Sequence, residues 1–322
     1  MDSFIFAVNS TFPVFLVMVI GWVLGRLKVI GKGFEIEANR FVFKCSLPVM
    51  LFQQIAGSDI RNNFDLRFVL YCAIVTTVCF VAEWLLAELT LKEKESVGAF
   101  VQGAFRSSAA ILGMAFIQNM YGDTGMAPLM IASAVPLYNI FSVLVLTFGS
   151  SEKYGGDDMR SMKLPDQMRK ALVNIIKNPI IIGIVLGLPF SYFDVKFPVI
   201  VNKTMNLVSQ TATPVALLCI GAGFKGAQAI KKIKPTIGAG FIKLVGQMLV
   251  FLPLAAWMGF RNQELVAIII MLGSPATATG FVMAQNMGND ADLSSSIIVF
   301  TTLLSSVTLT LFIFICRAAG MI

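Results

Sequence analysis

The chain has 322 residues, of which 57% are hydrophobic and only 13% charged, with a mean hydropathy of +0.80. A water-soluble domain cannot bury that much apolar surface, and long apolar runs are not the short alternating segments of a membrane β-barrel. The net charge of +7 does not point to nucleic acid, because Lys and Arg fall in short breaks between apolar runs and not on one polar face.

Hydropathy set against polar breaks predicts an all-α membrane protein with ten transmembrane helices, at 10–27, 38–57, 66–90, 96–121, 127–149, 172–193, 198–224, 235–259, 264–287 and 292–316. The first run carries Asp2 in place of a basic leader and reaches Arg26 without a small-residue cleavage site, so it reads as a retained helix. Residues 150–171, mixing Gly155-Gly156-Asp157-Asp158 with Arg169 and Lys170, read as a cytoplasmic linker between two five-helix units, 1–149 and 172–322.

Across alternate loops Lys and Arg divide seventeen to six, with Arg106 and Lys243 inside predicted helices. Positive charge is retained on the cytoplasmic side, so both termini are expected outside a plasma (inner) membrane.

An internal repeat is the strongest signal. An offset of 167 lays Ser107–Asp123 on Ser274–Asp290 with seven identities in seventeen positions; an offset of 166 lays Pro13 on Pro179, Gly21 on Gly187 and Pro48 on Pro214. Five helices separate the copies. An odd number of crossings turns the second copy over, giving the inverted repeat that supplies a transporter with two related faces.

The apolar pattern of predicted helix 4 breaks at Arg106-Ser107-Ser108 and Gly113, and that of helix 9 at Gly273-Ser274-Pro275-Ala276-Thr277-Ala278-Thr279-Gly280. Pro275 removes a helix hydrogen bond and the small residues let the backbone unwind. Freed backbone groups at membrane depth must face protein or a watery cavity, and half-helix N-termini attract anions. Small residues also serve close helix packing, the plainer reading of either break taken singly.

Arg106 lies about ten residues inside its helix, where an unneeded arginine costs at least about 2.5 kcal/mol. It suits a carboxylate; pairing with Glu83 and reaching to the cytoplasmic surface are the other options. Glu83 and Lys243 lie at comparable depth and are positioned to neutralise each other. Because the chain has no histidine, proton coupling through a side chain would need a buried carboxylate, and Glu83 is the obvious candidate. Gln118-Asn119, Gln285-Asn286, Asn139 and Thr211-Ala212-Thr213-Pro214 add polar groups.

Cys45, Cys72, Cys79, Cys219 and Cys316 lie in apolar runs without a CxxC pair and read as core residues, so no metal site or cofactor is expected. Gly221-Ala222-Gly223-Phe224-Lys225-Gly226 matches GxGxxG but ends an apolar helix, which excludes a dinucleotide loop. No HExxH, GxSxG or P-loop signature occurs, so the chain does not read as an enzyme.

The segments LPVMLFQQIAGSD, FRSSAAILGMAF, PLYN and SPATATGFVMAQNMG resemble those of the auxin efflux carrier family, the bacterial and plant group of malate and malonate permease-like proteins and PIN auxin exporters. The resemblance implies a fold similar to bile-acid sodium symporters: a scaffold of helices 1, 2, 6 and 7, and a core of helices 3–5 and 8–10 in which helices 4 and 9 cross. It implies an elevator-like secondary transporter of small organic anions such as malate, malonate or auxin-like carboxylates, uniporting or coupled to protons or sodium. Membrane lipid is then the surrounding partner, and the analogy extends to a homodimer through the scaffold.

Pro275 matches the family's crossover proline. Ser108 stands where the family often has asparagine, Ala115 where it often has proline, and Cys72 where plant members carry an acidic residue. The substrate-binding residues expected are Arg106, Ser107, Ser108, Ser274, Pro275, Thr277 and Thr279, with Asn139, Gln53 and Gln54 on the cavity wall. Two other functions fit the same fold: a sodium-coupled carrier of bulkier, bile-acid-like anions, and a membrane receptor that binds without translocating. Two costly helix breaks argue against a static receptor.

Overall fold

A computed structural model describes residues 2–57, 65–109, 117–118, 120–122, 125–149, 169, 172–193 and 195–322, with the side chains of 2–7 and 10 excepted. The expected linker, apart from Arg169, lies outside the described residues, as do Gly113, Ala115 and Asn119.

The described residues are helical and contain no strand. In chain order the helices are α1 (Asp2–Arg26), α2 (Lys32–Phe41), α3 (Leu47–Ala56), α4 (Leu66–Thr90), α5 (Glu95–Phe105), α6 (Ala127–Phe148), α7 (Pro179–Tyr192), α8 (Val199–Gln210), α9 (Ala212–Gly223), α10 (Gly226–Lys231), α11 (Ile233–Phe241), α12 (Gln247–Trp257), α13 (Asn262–Gly273), α14 (Ala278–Asn286) and α15 (Ala291–Ala318). Wide π-helical turns, Val42–Ser46 and Ile242–Gly246, join α2 to α3 and α11 to α12.

Six stretches among the described residues are long and apolar enough to cross a membrane: Leu66–Thr90, Ala127–Phe148, Val199–Gly223, Ile233–Trp257, Asn262–Asn286 and Ala291–Ala318. Thr11–Arg26 and Pro179–Tyr192 are shorter apolar helices. The first helix starts earlier than its hydropathy suggests, at Asp2, and the second at Lys32, because polar residues at a helix end extend the hydrogen-bonded ladder without being apolar.

Local chemistry sets several boundaries. Asp65 caps α4 by accepting from the amides of Arg67 at 2.8 Å and Phe68 at 3.1 Å. Asn178 caps α7 through the Ile180 amide at 3.0 Å, with Pro179 in the first helical position, and Asp290 caps α15 through the Leu293 amide at 3.0 Å.

The burial pattern separates lipid-facing from enclosed helices. On α4 the exposed side chains Leu66, Leu70, Ile74, Val78, Val81, Leu85 and Leu89 recur at helical spacing, while Phe68, Cys72, Val75, Cys79 and Glu83 face inward. On α13 every residue from Leu265 to Gly273 is buried, so this helix is walled by protein on all sides. Its neighbours are α12, α15, α6, α4 and the wide turn Ile242–Gly246.

The most extensive helix pairs are α1 with α9 and α3 with α7. Both are close crossings at glycine. A Cβ on Gly21 would strike the Leu218 carbonyl, and one on Gly187 would meet the Phe52 carbonyl oxygen at 3.0 Å and Ile55 Cβ at 2.9 Å. A second body of packing joins α4, α5 and α6 to one another, and α15 to α5, α11, α13 and α14.

Candidate functional site

Two helices stop in mid-protein and meet. α5 ends at Phe105, after which Arg106 adopts an extended backbone with φ −81° and ψ 130°. α13 ends at Gly273, and the chain runs extended through Ser274 (φ −63°, ψ 149°) to Thr277 (φ −88°, ψ 141°) before α14 begins. The Ser108 amide donates to the Pro275 carbonyl at 2.9 Å, tying the two interruptions together. Pro275 has no amide hydrogen to offer the helix, which accounts for the break on its side.

The exposed helix ends are served individually. The Ser107 hydroxyl donates to the Met271 carbonyl, as does the Tyr138 hydroxyl at 3.2 Å. Ala276 N–H donates to Thr301 Oγ1 at 3.1 Å. The start of α14 has no side-chain cap, so its first amides point their positive end toward the break.

Arg106 is 5% exposed, and its guanidinium is spread over neutral acceptors. One terminal nitrogen donates to Asn139 Oδ1 at 2.9 Å and Thr279 Oγ1 at 2.7 Å; the other approaches Ser142 Oγ at 3.4 Å and the Met283 sulfur at 2.9 Å. Among the described residues no acidic side chain forms an ion pair with it. The sequence options of a pair with Glu83, or of a side chain reaching to the surface, are therefore not what the structure has. Burying a charge without a counter-charge is expensive, and the neutral acceptors offset only part of that cost.

A cavity of about 40 Å³ opens beside this guanidinium. Arg106, Ser107, Ser108, Asn139, Thr277 and Thr279 line it together with Gln54, Tyr138 and Thr213. Ser274 is buried beside the crossover but off the cavity wall, with its hydroxyl oxygen unpartnered, and Pro275 takes part through its carbonyl. Gln53 is placed apart: its amide turns to Asn206 Oδ1 at 3.3 Å and the Asn202 carbonyl at 3.5 Å on α8, since successive positions on a helix point about 100° apart. The notable addition is Tyr138, which lies inside PLYN, whereas Thr213 belongs to the Thr211–Pro214 break that the sequence already marks.

The space at the crossover admits about one or two water molecules and is far below the roughly 300 Å³ of an ordinary small-molecule site. In this conformation the site is shut. The larger clefts, of about 650, 450 and 500 Å³, lie at loop ends around Lys232, Asp290 and Lys225, away from Arg106.

Glu83 lies behind the crossover, not on the cavity. One carboxylate oxygen accepts from Gln247 Nε2 at 2.7 Å and the other has no partner. It makes no direct ion pair with Lys243; Gln247 stands between them, accepting from Lys243 Nζ at 3.2 Å. The mutual neutralisation expected from sequence thus runs through an amide. Cys72 is fully buried on the same helix.

Comparison with known proteins agrees with this architecture. The family described as membrane transport protein matches residues 6–313. The chain is 22% identical over 316 residues to the uncharacterized transporter YfdV of Escherichia coli (strain K12), covering 97% of this chain and 98% of that one. It is 20% identical over 309 residues to an uncharacterized transporter of Methanothermobacter thermautotrophicus, covering 96% and 98%. It is 22% identical over 291 residues to a Rhizobium meliloti protein named "Putative malonate transporter", covering 88% and 87%. With the family matched over nearly its whole length and six membrane-crossing stretches, this chain belongs to the membrane transport protein family, the auxin efflux carriers that its motifs resemble, and is a multi-pass membrane transporter.

Proposed function

We propose that the protein is an elevator-type secondary carrier of small mono- or dicarboxylates, with malonate and malate the first substrates to test, and that the anion binds at the crossover. The observation that carries this reading is the buried Arg106 guanidinium, without an acidic partner among the described residues, beside a cavity that also receives the uncapped start of α14. A carboxylate there would supply the missing counter-charge and accept from Arg106, the Ser108 and Thr277 hydroxyls and helix amides. The name of the Rhizobium relative supports malonate. The 40 Å³ space requires the walls to part before substrate enters.

Ten transmembrane helices in two inverted repeats account for the paired geometry. Under the sequence offsets, α1 corresponds to α7 and α3 to α9, so the pairs α1–α9 and α3–α7 are the same contact made twice. We assign helices 1, 2, 6 and 7 to a scaffold and helices 3–5 and 8–10 to a moving core. The termini lie outside a plasma membrane, and a homodimer forms through the scaffold. Glu83 is the carboxylate through which a proton would couple.

Charge movement in liposomes on a solid-supported membrane tests the reading, with malonate, malate, indole-acetate and taurocholate as substrates and with or without sodium or proton gradients. Saturable currents for the small carboxylates that Arg106→Ala abolishes are expected. Absence of both current and radiolabel exchange from the wild type, with anion binding retained, would favour a non-transporting receptor.

A further inference from the structure

Lys243 is fully buried, and its ammonium sits at the point where the C-terminal ends of both broken half-helices converge. It donates to the Leu272 carbonyl at 2.8 Å, the Phe105 carbonyl at 3.4 Å and Gln247 Oε1 at 3.2 Å. Phe105 is the last residue of α5 and Leu272 the penultimate residue of α13. The three N–H groups therefore meet three oxygens, two of them at the negative poles of separate helices. Gln247 completes the arrangement, its amide nitrogen donating to the Ala104 carbonyl at 3.0 Å and to Glu83 Oε1 at 2.7 Å. The wide turn Ile242–Gly246 carries Lys243, and Gln247 follows it directly, so a local departure from α-helix presents both side chains to the same spot.

Converging carbonyl ends of interrupted helices, an amide oxygen and a buried carboxylate are the ligand types that hold a free monovalent cation in membrane carriers. Here a side-chain ammonium occupies their centre. We propose that Lys243 is a tethered cation that permanently fills a built-in alkali-cation site behind the crossover, so that this pole neither needs nor binds sodium. The unpartnered second oxygen of Glu83, in a side chain 4% exposed, is the ligand such a site would add if the ammonium were removed. The consequence for coupling, that no sodium travels at this pole, rests on the carrier reading above; the cation site itself does not.

Thermal unfolding of purified protein, with sodium chloride replaced stepwise by choline chloride at constant ionic strength, tests the site without any transport measurement. The wild-type melting temperature is expected to be the same in both salts. Lys243→Ala is expected to melt about 5–10 °C lower in choline, with sodium restoring about half of that loss in a saturable manner. Adding Glu83→Gln to Lys243→Ala is expected to remove the sodium response.

A saturable sodium-dependent rise in the wild type would overturn the proposal, because a free cation would then already serve the pole. So would a Lys243→Ala protein that no alkali cation rescues, which would reduce Lys243 to packing and charge balance. If Lys243→Ala does not fold, Lys243→Ser takes its place and the wild-type comparison still decides. Failure of every transport assay would leave these melting results standing, so the two readings fail separately.

Discussion

The amide of Ser108 donates to the carbonyl of Pro275 at 2.9 Å, and these two residues are 167 positions apart, the offset at which the two halves of the sequence align. Equivalent positions of two repeats touch only where the axis relating them passes. The Ser46 and Thr211 hydroxyls, 2.7 Å apart and separated by 165 positions, nearly meet the same condition. Both contacts support a pseudo-two-fold axis running through the crossover, with Arg106 on one side of it.

Arg106→Lys is expected to lower carboxylate transport about 100-fold or more, although the charge is kept. The planar guanidinium serves Asn139 and Thr279 from one nitrogen and Ser142 and Met283 from the other, whereas one ammonium cannot stand at both positions and offers no fork to a carboxylate. Thr279→Val removes an acceptor at 2.7 Å and should cost about 1–2 kcal/mol of substrate binding, roughly tenfold in KM. Initial rates of radiolabelled malonate uptake check both.

Gly21→Ala and Gly187→Ala are each expected to destabilise the protein by about 2–3 kcal/mol, despite the better helix propensity of alanine. The added methyl meets backbone, Leu218 in one case and Phe52 in the other, and backbone cannot turn aside as a side chain can. A lowered melting temperature for both, and of similar size, is the outcome expected of equivalent contacts. An unchanged melt for either would show that its helix pair can slide apart freely.

On the face toward the α14 C-terminus, Asn286 Nδ2 donates to the Asn39 carbonyl at 3.3 Å, Gln285 Nε2 reaches Glu35 at 3.5 Å, and Lys225 lies 3.6 Å from Asp292. These contacts join α2 and the turn after α9 to α14 and α15, the elements assigned to scaffold and core. Joining Asn39→Cys to Asn286→Cys by a disulfide or short bifunctional crosslinker should therefore arrest exchange, and cleaving the crosslink should restore it. Transport that continues at full rate in the crosslinked protein would contradict an elevator motion across this surface.

Lys232 pairs with Asp290 and with Glu93, the latter at 3.4 Å. Burial alone would lower its pKa, but the Asp290 and Glu93 carboxylates outweigh it and hold the ammonium above the ordinary lysine range. The folded state thus keeps a proton that the unfolded chain loses. The contribution, about 1 kcal/mol, is complete below the ordinary lysine pKa and disappears as pH rises through the raised one. Asp290→Asn should remove that alkaline decline in stability relative to the wild type, measured by melting at a series of pH values above 9.

Much of this protein was legible in its sequence because the deciding physics is local. Apolar runs long enough to cross a bilayer dictate helices, and Pro275 with its flanking small residues dictates an interruption, whatever else surrounds them. The repeat made the second interruption at Arg106 expected, and α5 does end at Phe105. What packing alone decided is which groups meet: that Arg106 lies on Asn139 and Thr279 instead of Glu83, that Gln54 faces the cavity while Gln53 faces α8, and that Lys243 serves two helix ends. Those partners lie tens to well over a hundred residues away along the chain. Their choice depends on helix rotation and on the fit of glycine-lined crossings, for which a linear pattern of polar and apolar residues holds no record.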